Sequence, residues 1–180
     1  MSWTRNRGYR ALFLRLLSPG PHEKILDVGA GKGAVASLVQ QTGLSEVVAL
    51  DPSRKRIAHV ERTYPNLKTC RASSDSIPYD EGSFDKVYST AAVHHFPDQE
   101  KSFREMARVL RLGGLLVIVD ISPRTPLGRI NRLLENGVLR YGLKFLELEE
   151  LTRLLTQGGS FEIKEAVTGG PGYFVQAVRT

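Results

Sequence analysis

The sequence predicts a three-layer α/β fold in which a doubly wound, mostly parallel sheet lies between two layers of helices. Short apolar runs of strand length alternate with longer segments of helical periodicity, which is the pattern of parallel strands joined by crossover helices. A glycine-rich turn follows the first apolar run and opens a helix, as in other doubly wound sheets. The last two runs flank the turn Gly169-Gly170-Pro171-Gly172, so the C-terminal strand is expected to be antiparallel.

The predicted strands are runs rich in large apolar and β-branched residues, bounded by polar, glycine or proline residues. Five of them precede the C-terminal hairpin: Lys24–Val28, Glu46–Leu50, Leu67–Arg71, Phe84–Ser89 and Leu115–Asp120. The hairpin comprises Phe161–Val167 and Tyr173–Val178.

The predicted helices have apolar residues spaced three and four positions apart. Residues 1–22 are predicted as a basic N-terminal helix, and the later helices are Ala34–Gln41, Ser53–Thr63, Gln99–Leu110 and Glu147–Gln157. In the fourth of these five helices, Phe103, Met106 and Leu110 fall on one face, and Gly113-Gly114 is expected to stop it. Ser53 is expected to cap the helix that it begins.

Length and composition predict a single domain, residues 1–180, because a chain of this length can bury a substantial core. No apolar run approaches the ~18 residues of a membrane span, and residues 1–20 lack the features of a secretory leader, so we expect a cytoplasmic protein. The single cysteine, Cys70, excludes an internal disulfide and a cysteine-based metal site. No histidine and acidic residues have convincing metal-ligand spacing, so no metal is expected.

The segment Ile25–Gly33 carries the strongest functional signal. Its alternating glycines, Gly29, Gly31 and Gly33, let the backbone approach a ligand closely, because glycine adopts strained torsion angles and has no Cβ. This arrangement predicts a nucleotide-type site.

The acidic residue before the glycines indicates which nucleotide. The glycines satisfy the loose dinucleotide pattern, with Asp51 at a suitable distance for a ribose, so a nicotinamide cofactor is one alternative. However, Asp27 would repel a pyrophosphate, whereas it suits a ligand with an ammonium and a sulfonium group. S-adenosylmethionine is such a ligand. A P-loop is excluded because Lys32 is followed by Gly33 and no glycine stands six residues before Lys32.

Four further motifs follow the glycine turn in order: Val47–Ser53, Ile77–Asp85, Val93–Phe96 and Glu105–Gly114. With these motifs the chain resembles the class I S-adenosylmethionine-dependent methyltransferases, specifically the group that contains the ubiquinone and menaquinone biosynthesis enzymes. The resemblance covers roughly residues 23–120. It implies a Rossmann-like fold, S-adenosylmethionine as cofactor and S-adenosylhomocysteine as product.

The resemblance also assigns cofactor-binding residues at or after the ends of the first four strands. Asp27 would hold the methionine end, and Asp51 would accept hydrogen bonds from both ribose hydroxyls. At the adenine end, Ser73 stands where many relatives carry an acid, so Ser73, the Ser74 amide and Asp75 are the candidates there. The remaining expected contacts are Gly29, Ala30, Gly31, Gly33, Pro52, Ser89 and Thr90.

His94 and His95 follow the fourth strand, near where a methyl acceptor would lie, and are the catalytic candidates. Either could act as a general base, and the alternative is that both are packing residues. Methyl transfer can proceed mainly by in-line positioning and exclusion of water, so catalysis does not require a base.

The sequence restricts the methyl acceptor only by disfavouring some classes of substrate. Ser89-Thr90-Ala91-Ala92 stands where methylases of exocyclic base amines carry an Asn or Asp, two prolines and an aromatic residue, which disfavours that class. The substrate region of the family usually follows the fifth strand, so residues 121–145 are expected to form a substrate cap. A small-molecule or lipid-like acceptor is the leading hypothesis. RNA or protein is an alternative, favoured by the formal charge of +6 and pI near 9.6, and a non-catalytic cofactor-binding protein is another.

The positive charge is concentrated in two segments, each with an apolar stripe. Residues 1–22 contain four arginines and no acid, and residues 123–145 contain five cations against Glu135. Basic helices with an apolar face are typical of membrane interfaces, which predicts binding to an anionic membrane surface. The alternatives are that the stripes pack on the sheet while the arginines are solvated, or that the arginines bind nucleic acid.

Overall fold

The structure, a computed structural model, describes residues 6–124, 143–157, 159–170 and 172–180. The strands are β1 (Lys24–Val28), β2 (Glu46–Leu50), β3 (Lys68–Cys70), β4 (Phe84–Thr90), β5 (Leu110–Ile121), β6 (Phe161–Gly169) and β7 (Gly172–Arg179). The helices are α1 (Arg7–Leu17), α2 (Ala34–Gln40), α3 (Arg54–Thr63), α4 (Gln99–Val109) and α5 (Leu148–Thr156), with a 3₁₀ turn at Val93–His95.

The described strands form one seven-stranded sheet in the order β3-β2-β1-β4-β5-β7-β6. The five neighbouring strands β3, β2, β1, β4 and β5 are parallel to one another. β7 is antiparallel to both of its neighbours, β5 and β6. The predicted α/β fold is therefore confirmed. The order reverses direction at β1 and β4, which places the ligand-binding crevice of such sheets at the carboxyl ends of these two strands.

The N-terminal helix was predicted to extend to residue 22 but ends at Leu17, because Ser18 adopts a left-handed conformation with φ 43°. Most other predicted boundaries agree with the structure within one or two residues, but the junction of α4 and β5 does not. The prediction continued the helix to Leu110 and stopped it at Gly113-Gly114. In the structure the helix ends at Val109, and Leu110 adopts an extended conformation and already pairs with Phe84. The strand then bulges before Leu115 pairs with Lys86. Burial of Leu110 in the core accounts for the early change, since pairing with β4 keeps it inside.

The two faces of the sheet bury different sets of side chains. One apolar cluster lies on the side of α4 and α5, and the other lies on the side of α1, α2 and α3. Phe13, Leu16 and Leu17 of α1 belong to the second cluster and are fully buried. The apolar face of α1, which the sequence offered as a membrane-binding face, therefore packs on the sheet. The rest of the predicted basic segments, residues 1–5 and 125–142, lies outside the described residues, as does most of the expected substrate cap.

α1 is also joined to the distant C-terminal hairpin. Arg15 donates two hydrogen bonds to the carboxylate of Glu165 on β6, at 2.5 and 3.0 Å. The Gln176 amide on β7 donates to the Leu16 carbonyl at 2.7 Å. The first and last parts of the chain thus form one side of the molecule. Within the described part of the chain, no helix is long and apolar enough to span a membrane.

Candidate active site

A cavity of about 330 Å³ opens at the carboxyl ends of β1, β2 and β4. Its wall contains the glycine turn after β1, the Asp51-Pro52 corner after β2 and the segment after β4. Of the predicted cofactor contacts, it is lined by Gly29, Ala30, Gly31, Asp51, Pro52, Ser73, Ser74 and Thr90. These residues come from four separate parts of the sequence, and the sheet order brings them together.

The glycine turn has the close-approach geometry that the sequence predicts. Gly29 and Gly31 both have positive φ, 80° and 59°. A Cβ at Gly29 would lie 2.5 Å from the Ala92 Cβ, whereas a Cβ at Gly31 would have no heavy atom within 4 Å. Gly29 therefore allows two chain segments to pack, and Gly31 leaves open space for a ligand.

Gly33, predicted as a cofactor contact, has a packing role in the structure and does not line the cavity. It begins α2 with φ 79°, and a Cβ there would come within 3.0 Å of the Val60 side chain. The third glycine of the motif is therefore required for packing of α2 against α3.

Asp51 is almost fully buried and has three partners within the protein besides any ribose. Its Oδ2 accepts from the Gly31 amide at 2.9 Å, and its Oδ1 accepts from the Ser53 amide at 2.9 Å. Arg56 adds a longer contact of 3.4 Å to Oδ2. Since each carboxylate oxygen has two lone pairs, Oδ1 keeps capacity for a ribose hydroxyl. Ser53 caps α3 by accepting from the Arg56 amide at 3.4 Å, as predicted.

Asp27 lies behind the cavity and is completely buried. Neither carboxyl oxygen has a hydrogen bond within the described part of the chain. Burial raises the pKa of this carboxyl to about 8; the nearby Tyr88 hydroxyl counteracts the rise, and the Asp51 charge adds to it. The contact between Tyr88 and Asp27 does not have the geometry of a normal hydrogen bond.

Only some of the residues expected at the adenine end of the cofactor line the cavity. Ser73 and Ser74 line the cavity, but the Ser74 hydroxyl is buried and shares a 2.8 Å hydrogen bond with Ser102. Asp75 does not line the cavity and instead approaches Lys101 at 3.9 Å. The geometry thus gives no support to Asp75 as the substitute acid.

The two predicted cofactor contacts at the end of β4, Ser89 and Thr90, have different surroundings. Thr90 faces the cavity, whereas Ser89 is fully buried and does not line it. The Ser89 hydroxyl has no hydrogen-bond partner in the described ranges. Alternation along the strand explains the difference, because neighbouring residues point to opposite faces of the sheet.

The two histidines of the 3₁₀ turn have different surroundings. His95 lines the cavity, and partial burial together with its neighbour His94 lowers its pKa to about 4. His94 is buried and does not line the cavity. Its ring stacks on Phe145, with centroids 4.6 Å apart and planes 11° apart. The prediction grouped the two residues, and the structure distinguishes them.

Asp120, at the end of β5, is the partner of His94. Its Oδ1 lies 2.7 Å from His94 Nδ1, and its Oδ2 accepts from the His94 amide at 3.1 Å. The Ile121 amide also donates to Oδ1, at 2.8 Å. Because a carboxylate only accepts, Nδ1 carries the proton in this pair and the Nε2 lone pair of a neutral ring is available. Such a pair can orient a general base.

A second, smaller pocket of about 30 Å³ lies beside the cavity. Ala91 lines both, and it has an unusual positive φ of 49°. Most of the other lining residues are apolar or aromatic, and Asp120 is the one acidic residue; the lining comprises Tyr9, Val119, Asp120, Ile121, Gly169, Gly172, Tyr173 and Phe174. This small apolar pocket is therefore next to both the cavity and the Asp120–His94 pair.

Sequence reasoning missed several of these residues. Asp120 could have been found, because it ends a predicted strand as Asp51 does. Arg56 had no such signal, because its contact with Asp51 depends on how α3 leaves β2. Tyr9 and Phe174 could not be identified either, since their meeting depends on the position of α1 against β7.

The residues present fit S-adenosylmethionine in three respects. Asp27 is a buried carboxyl without a hydrogen bond in the described ranges, Gly31 leaves an open cradle, and Asp51 closes the ribose side. A search of the described residues finds no cluster of three or more histidine, cysteine or acidic side chains that could hold a metal ion.

Comparisons with known proteins point to one enzyme family. A family model described as a methyltransferase domain matches residues 26–118, just over half of the chain. A probable S-adenosylmethionine-dependent methyltransferase of Mycobacterium tuberculosis is 28% identical over 162 residues, which cover 87% of this chain and 56% of that protein. A demethylmenaquinone methyltransferase of Renibacterium salmoninarum is 30% identical over 125 residues, covering 69% of this chain and 50% of that protein. The chain thus spans about half the length of these relatives.

A solved structure supports the fold independently. An S-adenosylmethionine-dependent methyltransferase from Mesorhizobium loti superposes with a TM-score of 0.83 at 20% sequence identity, covering 99% of this chain and 100% of that one. At this identity the similarity concerns the arrangement of strands and helices.

Proposed function

Because the chain belongs to the class I S-adenosylmethionine-dependent methyltransferases, we propose that it transfers a methyl group from S-adenosylmethionine to a small-molecule or lipid-like acceptor. The observation that carries this proposal is the position of Ala91, which lines both the cofactor-sized cavity and the small apolar pocket. An acceptor bound against that pocket would present its reacting atom near the end of β4, beside the cavity.

The cofactor supplies a methyl group made electrophilic by a sulfonium. The chain binds and orients it through the open cradle at Gly31, the Asp51 carboxylate and the buried Asp27. Placing two reactants in line inside a site from which water is excluded accounts for much of the rate of a methyl transfer. The walls formed by Ala91, Ala92 and Phe96 are apolar and serve that exclusion.

Of the two histidines, His94 is the one whose ring is oriented by a carboxylate, as a general base for a hydroxyl acceptor would be, although it is buried and does not line the cavity. Asp120 holds its Nδ1–H and would stabilise the charged ring after proton transfer. His95, with its pKa lowered to about 4, is neutral near pH 7 but a weak base. Its place in the lining suits it to contact cofactor or acceptor through packing and hydrogen bonding.

The apolar pocket, at about 30 Å³, has room for only a small apolar group of an acceptor, and this is compatible with a small or lipid-like molecule. Its walls include Val119, Ile121 and Phe174, which offer no group for phosphate recognition. One of the relatives is named as a methyltransferase of demethylmenaquinone, and this agrees with the proposal.

A labelling screen tests the acceptor class. The protein is incubated with S-adenosylmethionine carrying a tritiated methyl group and with cell extract divided into lipid, small-molecule, RNA and protein fractions. We expect label in the lipid or small-molecule fraction, and none with the Gly31→Val protein. Label confined to RNA or protein would transfer the assignment to those acceptors, and binding of cofactor without any label would indicate a non-catalytic protein.

Flotation with vesicles tests whether the acceptor is met at an anionic membrane surface. Because the apolar face of α1 packs on the sheet, we attribute any membrane binding to the basic segment 123–145. Changing Arg129, Arg132 and Arg140 to Glu should then abolish salt-sensitive flotation with anionic vesicles, whereas changing Arg7 and Arg10 to Glu should weaken it far less. If the wild-type protein does not float with anionic vesicles, the membrane hypothesis is rejected and the acceptor is one that is free in solution.

A further inference from the structure

Two buried polar side chains face each other on β1 and β4. Asp27 and Tyr88 are paired residues in the register of these strands, and both are fully buried. Both carboxyl oxygens and the Tyr88 hydroxyl lack a hydrogen bond of normal geometry in the described part of the chain. Buried polar atoms are usually paired, so this arrangement calls for an explanation.

The hydroxyl of Tyr88 is not needed for packing. The ring lies in the apolar cluster under α1, edge-on to Phe13 with centroids 5.2 Å apart and planes at 72°. A phenylalanine would fill the same space and avoid burying a hydroxyl. The one acidic group that acts on this hydroxyl is Asp27, which raises the pKa of Tyr88 further above its ordinary value, in addition to the effect of burial.

The pair is well placed to sense the cofactor. Asp27 is two residues before Gly29, whose backbone lines the cavity, but the carboxyl itself is behind that lining. The groups that act on Asp27 are Tyr88 from β4 and Asp51, which follows β2, and α1 contributes the apolar Phe13 on the far side of Tyr88. None of these groups is a cation that could balance a buried carboxylate.

We propose that Tyr88 is a positioning residue of the cofactor site: its hydroxyl holds the Asp27 carboxyl, and the pair releases one proton when the cationic amino group of S-adenosylmethionine binds beside the glycine turn. This inference rests on the proposed function and extends it to a residue outside the glycine motif.

The proton balance follows from the surroundings of Asp27. With its pKa raised to about 8, the carboxyl keeps its proton at neutral pH in the empty protein. An arriving ammonium group favours the charged carboxylate, so the carboxyl O–H bond breaks and the proton leaves for solvent. The Tyr88 hydroxyl, which keeps its own proton, donates to the carboxylate formed. The hydroxyl therefore stabilises the bound state more than the empty one.

Calorimetry of S-adenosylmethionine binding tests the proposal without an acceptor. Titrations at pH 6.5 in two buffers of different ionisation enthalpy give the number of protons released, and titrations from pH 6 to 9 give affinity against pH. The variants are Asp27→Asn, Tyr88→Phe and, as a matched control, Tyr79→Phe. Tyr79 is half-buried and contacts Cys70 and Phe84, away from the cavity.

For the wild type we expect release of about one proton per ligand at pH 6.5 and affinity that rises toward pH 8. Asp27→Asn should show no release. Tyr88→Phe should bind about tenfold more weakly, the loss of one hydrogen bond to a charged group. Its affinity curve should also move to higher pH, because the hydroxyl lowers the pKa of Asp27. Tyr79→Phe should match the wild type.

Two results would overturn the inference while leaving the proposed function intact: wild-type binding without proton release, or a Tyr88→Phe curve that superimposes on the wild type. A Tyr88→Phe protein that binds more weakly at every pH by one constant factor, with an unshifted curve, would show a packing effect and also reject it. Failure of the wild type to bind S-adenosylmethionine at all would reject the proposed function itself. Thermal unfolding of each variant verifies that it is folded.

Discussion

The cofactor side of the site is built differently from the side where we propose that the acceptor binds, the acceptor side. On the cofactor side, the glycine turn and the Asp51 corner are short segments whose local sequence determines their geometry. On the acceptor side, the small apolar pocket combines Tyr9 from α1, Ala91 after β4, Ile121 from β5 and Phe174 from β7. The difference teaches that motifs identify the cofactor here, whereas the acceptor pocket depends on how distant segments pack.

The two sides also differ in how they treat a buried acid. Asp120 receives three hydrogen bonds, from His94 Nδ1 and from the amides of His94 and Ile121. Asp27 receives none from the described residues. Asp120 is therefore held in one arrangement by its donors, whereas the Asp27 carboxyl makes no hydrogen bond to the described residues that would fix it.

The largest expected effect comes from filling the cradle on the cofactor side. Gly31→Val should weaken S-adenosylmethionine binding by roughly a thousandfold, about 4 kcal/mol, because the side chain would occupy the ligand's space. Gly43→Val is the matched control: Gly43 has a similar φ of 70° and open surroundings, but it does not line the cavity. It should cost stability through backbone strain and leave affinity unchanged. Equal losses of affinity in both variants would show that strain, not occupancy, is responsible.

The next effect is on the rate of methyl transfer and comes from His94, on the acceptor side. His94→Ala should lower the rate of methyl transfer to the acceptor found by labelling by about a hundredfold, the lower end of general-base effects, with unchanged affinity for the cofactor. Asp120→Asn should reproduce most of this loss, since it removes the group that orients Nδ1. His95→Ala serves as the comparison within the same turn and should have a smaller effect. If His94→Ala retains full rate and loses only thermal stability, the pair is a structural link between the turn and β5.

What the sequence predicts divides in the same way, between features that depend on local sequence and features that depend on the packing of distant segments. Strand ends, caps and the glycine turn depend on a few neighbouring residues, so Lys24–Val28 and Glu46–Leu50 were placed without error. Leu110 was misplaced because its pairing with Phe84 across the sheet outweighs its helical periodicity. Ser89 and Gly33 were assigned to the cofactor because motifs give positions along the chain, not the direction of a side chain. The Asp120–His94 pair joins residues 26 positions apart, and no local pattern predicts it.

A third variant tests a residue that serves both binding and folding on the cofactor side. Asp51→Ala should weaken cofactor binding about a hundredfold, near 3 kcal/mol, because it removes the ribose acceptor and also frees the Gly31 amide that shapes the turn. Asp85→Ala is the control, since Asp85 accepts from the Lys24 amide and from Arg111, far from the cavity. It should lower the melting temperature without changing affinity. Unaltered affinity in Asp51→Ala would remove Asp51 from the cofactor site.

The last prediction concerns the empty protein and contrasts the two buried acids directly. Folding raises the pKa of Asp27 from 3.8 to about 8, so between these values the folded state holds a proton that the unfolded state has lost. Because the folded state then binds more protons, this group makes the free energy of unfolding fall as pH rises, by about 1.4 kcal/mol per pH unit at most. Urea unfolding of wild type and Asp27→Asn at pH 5, 7 and 9 isolates the contribution from other titrating groups. We expect Asp27→Asn to gain stability relative to the wild type as pH rises, with no further gain above about pH 8.

Asp120→Asn should instead be less stable at all three values, because an amide leaves at least one of the three donors around Asp120 without an acceptor. A constant difference between wild type and Asp27→Asn across the range would mean that the empty protein already balances this carboxylate, and the distinction between the two acids would be lost.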